Sequence, residues 1–215
     1  MPNLQLRILI TAGPTHEPID PVRYLANRSS GKTGYALAAE ACARGHSVTL
    51  ISGPVHLDPI MDAKNVSVET AVEMRTAVLG AYSDADVVIM AAAVADYRPT
   101  TFSEHKIKKA EDEGVLHLSR NPDILRELGK LKEAQLLVGF ALETHDQLTS
   151  ARTKFEEKNL DLLVLNGPAN LGGNEGTHQV LSSNGFIEGK TRSKAAFSEY
   201  LIDLIEGLTR RGAES

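Results

Sequence analysis

The segment SSGKTG at positions 29–34 combines hydroxyl groups, glycines and a lysine immediately before a helix-like run at 35–44. The unpaired N–H groups at a helix N-terminus bind phosphate well, and the hydroxyls of Ser29 and Ser30 add donors. The alternative is that one of these serines or Thr33 simply caps the helix. The sequence therefore indicates a phosphate site at 29–34 and leaves capping open.

Two common nucleotide motifs do not fit this segment. Gly31, Lys32 and Thr33 resemble the end of a P-loop, but Ala26 stands where that motif needs its first glycine. No G-x-G-x-x-G sequence follows the first predicted strand either. The phosphate hypothesis therefore depends on the serines, on Gly31 and on the helix that follows.

Basic side chains occur in two further places. The stretch HKIKK at 105–109 contains Lys106, and Lys154 and Lys158 are four residues apart, so they share one face of a predicted helix. Each group alone is typical of a solvated surface. Three lysines at one crevice would match a triphosphate, whose charge needs several cations.

A run of small residues, AAAVAD at 91–96, ends a predicted buried strand. Small side chains let a flat base or a ribose approach the backbone, and Asp96 can hold Mg²⁺ or a ribose hydroxyl. The NPD sequence at 121–123 is typical of a helix start. The histidines have no metal-ligand spacing, so we expect no zinc site.

An unusually long connection joins the first strand, at 7–10, to the first helix. It runs from Thr11 to Gly34, where a few residues would suffice. Long insertions at such points usually bind a ligand or carry chemistry. The alternative is a surface excursion that merely packs.

Apolar strands alternate with helices along the chain, which predicts a Rossmann-like, doubly wound, mainly parallel sheet with helices on both faces. In the strand order 3-2-1-4-5-6, the first and fourth strands are neighbours and ligands bind beyond their carboxyl ends. The loops there are 11–34 and the stretch after residue 92, so both unusual segments should meet in one crevice. The predicted strands are 7–10, 46–52, 66–69, 86–92, 135–140 and 160–165, and the predicted helices are 35–44, 71–82, 123–130, 148–158 and 193–208.

Two regions interrupt the alternation. Residues 97–120 are polar and end in an alternating stretch, which predicts a β-hairpin arm or flap. Residues 166–189 are loop-like, with a weak hairpin around 183–185. We expect one domain over residues 1–215, with a flexible tail at about 210–215.

The composition limits the class of protein. A chain of 215 residues with 42% hydrophobic residues can bury one sizeable core, and a net charge of −5 argues against a general nucleic-acid binder. The single cysteine, Cys42, cannot form an internal disulfide, which fits a reducing compartment. The longest apolar run, 87–95, is too short to span a bilayer, and no signal peptide is visible. We expect a cytoplasmic protein without membrane partners.

Taken together, the motifs resemble the phosphopantothenate–cysteine ligase family, also called phosphopantothenoylcysteine synthetase, of coenzyme A biosynthesis. They occur in the family's order and span most of the chain. The matching pieces are ITAGPT at 10–15, DPVRYLANRSSG at 20–31, AAAVADYRP at 91–99, KIKK at 106–109, NPDI at 121–124, VGFA at 138–141, Glu143 with Thr144, and KNLD at 158–161.

The resemblance implies a reaction in two steps. The carboxylate of 4′-phosphopantothenate attacks the α-phosphate of CTP, used with Mg²⁺, and an acyl-cytidylate forms as pyrophosphate leaves. The amine of L-cysteine then attacks the acyl group and CMP leaves. The resemblance also implies a homodimer involving the arm near Lys106, and often a fusion behind a flavin-dependent decarboxylase. No flavin is expected in this chain, and a stand-alone ligase and an excised domain both remain open.

The resemblance assigns roles by position. Asn27 acts on the acyl intermediate, Arg23 lies in the substrate site, and Lys106 binds phosphate; these three are the expected catalytic residues. Ser29, Ser30 and Gly31, with Asn27, are expected to hold the phosphopantothenate, and Asp96 is the expected metal ligand. The expected nucleotide-binding residues are Met90, Ala91, Ala92, Asp96, Lys106, Pro122, Asp123, Ile124, Leu125, Phe140, Lys154 and Lys158.

The chain departs from the family pattern in two places. Thr33 stands where methionine is common, and the segment 174–178 differs from the usual one, which puts any base or dimer contact made there in doubt. Two other functions stay open. A nicotinamide-dependent oxidoreductase is opposed by Ser52–Gly53, which provide no acid for a ribose at the end of the second strand. A non-catalytic nucleotide-binding subunit would share the fold and the lysines.

Overall fold

The fold is an eight-stranded sheet between two layers of helices. The computed structural model describes residues 5–109, 114–142, 147–167, 173 and 175–213. The strands are β1 (Arg7–Ala12), β2 (His16–Pro18), β3 (Tyr24–Ala26), β4 (Ser47–Ser52), β5 (Ala63–Ser67), β6 (Val87–Met90), β7 (Tyr97–Pro99), β8 (Leu118–Arg120), β9 (Leu136–Leu142), β10 (Leu162–Asn166), β11 (Glu175–Ser182) and β12 (Gly185–Ser193). The helices are α1 (Lys32–Ala43), α2 (Ala71–Tyr82), α3 (Ile124–Leu131), α4 (Gln147–Glu157) and α5 (Lys194–Ala213).

The main sheet has the order β12-β11-β10-β9-β6-β1-β4-β5. Six neighbouring strands of this sheet are parallel: β5, β4, β1, β6, β9 and β10. Their order confirms the predicted doubly wound order. β1 and β6 are neighbours, so the topological switch point lies where the sequence places it.

Alternate residues of each central strand face opposite helix layers because a strand has a period of two. On one face, Ile8 and Ile10 of β1 pack in a cluster with α1 and α5. On the other face, Leu9 packs in a cluster with α2, α3 and α4. All three β1 side chains are at most 2% exposed. This two-sided burial explains why the central strands are almost continuously apolar.

The C-terminal part of the chain differs from the prediction. The region 166–189 contains two long antiparallel strands, β11 and β12, that extend the sheet beyond β10, where a loop with a weak hairpin was expected. Helix α5 continues to Ala213, beyond the predicted helix end at 208, and the flexible tail at about 210–215 stays a prediction. Residues 168–172, 174, 214 and 215 lie outside the described residues.

Two small hairpins stand outside the main sheet. β2 pairs with β3 inside the long 11–34 connection, and β7 pairs with β8 at the base of the predicted arm. The hairpin expectation for 97–120 therefore holds at its base, while residues 110–113 are outside the described part. None of the helices, as far as they are described, is long and apolar enough to cross a membrane.

Candidate active site at the switch point

A cavity of about 640 Å³ lies beyond the carboxyl ends of β1, β6, β9 and β10, a volume within the usual range of ligand sites. Its walls meet because the loops after β1 and β6 are joined: Pro14 and Ala93 form a β-bridge, and the Ala93 N–H donates to the Gly13 carbonyl at 2.8 Å. The two unusual segments of the sequence therefore share one crevice, as predicted.

Two buried threonines hold the run of small residues at 91–96, here called the small-residue loop, beside the end of β1. The N–H of Ala92 donates to Oγ1 of Thr11 at 3.2 Å, and that of Ala95 donates to Oγ1 of Thr15 at 3.0 Å. Both threonines are 0% exposed. Their hydroxyls satisfy N–H groups that would otherwise be buried without partners, which fixes the loop beside the cavity.

The N-terminus of α1 opens into this cavity. Its N-cap is Gly31, with φ of 74° in the left-handed region, and no side chain caps the helix. The capping alternative for the serines and Thr33 is therefore wrong; Ser29 instead accepts a hydrogen bond from the Gly31 N–H at 3.3 Å. A Cβ on Gly31 would also stand 2.8 Å from Cγ1 of Val55. The site thus has the geometry of an anion-binding helix end.

Asn27, which also lines the cavity, is anchored to the small-residue loop. Its Nδ2 donates to the Val94 carbonyl at 3.0 Å, which uses one of the two amide hydrogens. The second hydrogen remains for a ligand. This bond also fixes the carboxamide relative to the small-residue loop.

The α3 side of the cavity contains an ion pair. Asp123 caps α3 by accepting from the Arg126 N–H at 3.1 Å, and Lys158 Nζ contacts the same carboxylate at 2.9 Å. Asn121 donates to the Ala95 carbonyl at 2.8 Å, which ties this helix start to the small-residue loop. The charge of Lys158 is therefore partly balanced by Asp123 before any ligand binds.

The cavity brings together most of the residues expected to form the site. Arg23 and Lys106 are the exceptions, because they line a separate basic pocket with Ile107, Lys108 and Lys109. The expectation that Lys106 shares one crevice with Lys154 and Lys158 is therefore not met within a single chain. The expected residues that line the cavity are Asn27, Ser29, Ser30, Gly31, Met90, Ala91, Ala92, Asp96, Pro122, Asp123, Ile124, Leu125, Phe140, Lys154 and Lys158.

The cavity wall also contains polar residues that were not among the expected site residues, including Lys32, Asn166, His178 and Lys194. Lys32 and Lys194 are the first residues of α1 and α5, which pack against each other. Burial, and then the charge of Lys32, lower the pKa of Lys194. The sequence offers only one signal for these lysines, that each begins a helix; because 166–189 was predicted as a loop with a weak hairpin, the approach of α5 to the cavity was not predicted.

His178 is the most buried of these polar residues, at 3% exposure. Its ring stacks on Phe197 with centroids 3.8 Å apart, and among the described residues its Nδ1 has no hydrogen-bond partner. Burial lowers its pKa to about 4, and the charges of Lys194 and Arg192 act in the same direction. The ring is therefore neutral at physiological pH.

A metal ion would find few protein ligands in this cavity. Its carboxylates are those of Asp96 and Asp123, and the described part of the chain contains no cluster of three or more His, Cys, Asp or Glu side chains suited to a metal. Mg²⁺ commonly binds through one or two carboxylates together with substrate phosphates. The residues present fit a nucleotide-borne Mg²⁺ and not a resident metal cage.

The fold and the cavity define a Rossmann-like α/β domain with a ligand site at its switch point. The chain belongs to the family of the DNA/pantothenate metabolism flavoprotein C-terminal domain, whose model matches residues 4–208.

Several known proteins are similar over most of the chain. The coenzyme A biosynthesis bifunctional protein CoaBC of Bacillus subtilis is 45% identical over 213 residues, covering 96% of this chain and 52% of that protein. A protein from an unknown prokaryotic organism, named cysteine/cysteine sulfinic acid decarboxylase, is 52% identical over 162 residues, covering 74% of this chain and 45% of that protein. The chain thus spans about half the length of the curated relatives it matches.

Solved structures agree with the fold. The crystal structure of the C-terminal domain of a CoaBC protein has a TM-score of 0.85 and 40% identity, covering 98% of this chain and 100% of that one. The H337A mutant of Cab2 in complex with phosphopantothenate-cysteine has a TM-score of 0.77 over 97% of this chain and 89% of that one. Its identity is 16%, so this likeness concerns the fold alone.

Proposed function

We propose that this domain joins 4′-phosphopantothenate to L-cysteine, with CTP converted to CMP and pyrophosphate through an acyl-cytidylate. The observation that carries the proposal is that one cavity unites Asn27, the small-residue loop and the uncapped start of α1. Membership of the pantothenate-metabolism family and the similarity to CoaBC proteins support this substrate class.

In the first step, a carboxylate oxygen of 4′-phosphopantothenate bonds to the α-phosphorus of CTP. The bond from that phosphorus to the bridging oxygen breaks, and pyrophosphate leaves with the electron pair. The N-terminus of α1, with Ser29, Ser30 and Lys154, neutralises phosphate charge in this cavity. Mg²⁺ supplies further charge neutralisation when it is bound, with Asp96 as its protein ligand.

In the second step, the cysteine amine bonds to the acyl carbon while the bond to the CMP oxygen breaks. CMP leaves with that electron pair, and the amine loses a proton to solvent. The carbonyl oxygen gains negative charge in between, and the remaining N–H of Asn27 donates to it. The bond to Val94 holds this donor in place, so little reorganisation is needed when the charge develops.

Arg23 and Lys106 require a different placement, since their basic pocket is separate from the cavity. We propose that the protein is a homodimer in which this pocket completes the site of the second copy. Large apolar side chains around the 11–34 connection and the arm support this proposal, because they are more than 40% exposed in one chain. Those side chains are Val22, Tyr24, Tyr97, Phe102, Ile107 and Leu118.

Pyrophosphate release is the direct test of the reaction. We expect release from Mg²⁺ and CTP only when 4′-phosphopantothenate is present, with CMP formed when L-cysteine is added. Parallel reactions with ATP, GTP and UTP test the choice of nucleotide, and a preference for ATP would overturn the CTP assignment alone. Folded protein that releases nothing with any nucleotide would favour a non-catalytic nucleotide-binding subunit.

Mixing two inactive variants tests the shared site. We expect Asn27→Ala and Lys106→Ala each to lose activity as homodimers. Refolding or co-expressing them together should restore up to about a quarter of wild-type activity, because half of the chains form mixed dimers and each mixed dimer has one intact site. Absence of any restoration, with mixed dimers demonstrated by mass, would place both residues in a site within one chain.

A further inference from the structure

Asp20 is a buried carboxylate that the proposed chemistry does not use. Its side chain is 0% exposed, although it belongs to the long connection after β1. Oδ1 accepts hydrogen bonds from the N–H groups of Val22 and Arg23, each at 2.9 Å. Oδ2 accepts from Nε of Arg23 at 3.0 Å and from the N–H of Ile107 at 3.1 Å. One carboxylate therefore joins two segments that are 87 residues apart in sequence.

The arm is held at both backbone polar groups of one residue, Ile107. The Ile107 N–H donates to Asp20, and the Ile107 carbonyl accepts from Nη2 of Arg23 at 3.0 Å. The start of the arm is attached nearby, because the Ser103 N–H donates to the Ile19 carbonyl at 3.0 Å. Lys106 directly precedes Ile107, so the backbone of Lys106 is fixed relative to Arg23.

The hydrogen bonds that join Asp20 and Arg23 to Ile107, here called the clamp, also place a negative charge close to several positive ones. Arg23, Lys106, Lys108 and Lys109 line one pocket, and four like charges repel one another unless an anion is close. Asp20 provides a permanent negative charge under this group, because the hydrogen bond from Arg23 holds its pKa well below the usual range. The carboxylate is fully used inside the protein, so it leaves the outer face of the pocket to a ligand.

We propose that Asp20 is a positioning residue that holds Arg23 and Lys106 together as one unit for binding a phosphorylated substrate. This inference rests on the proposed function for the roles of Arg23 and Lys106. Asp20 contacts no substrate in this scheme and acts only through the guanidinium of Arg23 and the backbone N–H of Ile107.

Asp20→Asn tests the clamp with almost no change in volume. In either orientation of the new amide, its NH₂ faces N–H donors, those of the Val22 and Arg23 backbone or those of Arg23 Nε and Ile107, so hydrogen bonds are lost together with the negative charge that holds Arg23. We expect amide hydrogen exchange in residues 105–109 to accelerate at least tenfold. We also expect affinity for 4′-phosphopantothenate, measured by calorimetry, to fall about tenfold or more, and KM for it to rise while kcat changes less.

Glu17→Gln is the matched control. Glu17 is a buried carboxylate in the same connection, at 1% exposure, but it accepts from the Ala71 N–H at the start of α2, whereas Asp20 accepts from Ile107 of the arm. We expect comparable loss of thermal stability without faster exchange at 105–109. Equal effects of the two substitutions on binding and exchange would reduce Asp20 to a general structural role and overturn the proposal.

A second variant covers the case in which Asp20→Asn does not fold. Ile107→Pro removes the N–H that reaches Asp20 while leaving Arg23 and Asp20 in place. It should weaken 4′-phosphopantothenate binding by a similar factor, and unchanged binding contradicts the clamp. Binding and hydrogen exchange can be measured without turnover. If the wild type has no ligase activity but exchange at 105–109 is still faster in Asp20→Asn, the proposed reaction is refuted and the role of Asp20 in holding the arm is supported. A wild type that binds no 4′-phosphopantothenate overturns the anion-binding role itself.

Discussion

At the scale of single residues, Asn27 makes a structural bond to the Val94 carbonyl, and we propose that its second amide hydrogen serves catalysis. Asn27→Asp replaces an N–H donor by an anion and also removes the bond to the Val94 carbonyl. We expect nucleotide affinity to change little and kcat to fall by about 10²–10³, equivalent to about 2.7–4 kcal/mol for the loss of one oxyanion donor. The check is a single-turnover reaction, in which the acyl-nucleotide should accumulate before cysteine consumes it.

The Asn27 prediction can be contradicted in two ways. Normal turnover by Asn27→Asp excludes the proposed donor role. Loss of pyrophosphate release together with loss of cysteine transfer moves Asn27 to the first step, because the acyl-nucleotide would then never form. Circular dichroism and thermal unfolding separate both outcomes from simple misfolding.

At the scale of elements, the approach of α1 to β1 sets the position of the helix end for which we propose phosphate binding. A Cβ on Gly34 would lie 2.6 Å from the Cβ of Ala12 and 3.0 Å from the Thr11 carbonyl oxygen, so Gly34→Ala must push α1 away from the sheet. We expect a loss of about 1–3 kcal/mol in the free energy of unfolding, as for other overpacked sites. The KM for 4′-phosphopantothenate should rise as well, because the helix end moves out of the cavity.

Gly80→Ala is the control for this prediction. Gly80 lies in α2, and a Cβ there meets nothing within 4 Å. An added methyl group should therefore leave stability unchanged or raise it by up to about 1 kcal/mol, through helix propensity. If the two alanine variants unfold at the same denaturant concentration, close packing of α1 on β1 is not what requires Gly34.

Some elements of this fold could be predicted from the sequence and others could not. The parallel strands and the switch point were predictable, because two-sided burial leaves an apolar signature in each strand. The turn of the β11–β12 hairpin lies at the weak hairpin predicted around 183–185, but the length of its strands was not predictable, because β11 contains Gly176, Thr177 and Gln179 and resembles a loop. The hydrogen-bond partners of Glu17 and Asp20 could not be predicted either, because Ala71 and Ile107 are distant from them in sequence.

At the scale of the whole molecule, the β11–β12 hairpin affects the pH dependence of stability. It carries His178 into the core, where the folded-state pKa is about 4, against about 6.5 in the unfolded chain. A histidine with a lowered folded pKa favours folding fully above pH 6.5, and this contribution is lost as pH falls towards 4. Between pH 7.5 and 5 the wild type should therefore lose about 2 kcal/mol through this residue.

The pH dependence can be isolated by comparing histidine variants in urea unfolding series between pH 5 and 7.5. His178→Leu lowers stability at pH 7.5 by removing the stack on Phe197, but its free energy of unfolding should depend less on pH than that of the wild type by about 2 kcal/mol over this range. His56→Gln removes an exposed histidine and should leave the wild-type slope intact. Parallel slopes for wild type and His178→Leu are incompatible with a neutral, buried His178, and they would mean that the ring reaches solvent through the cavity that it lines.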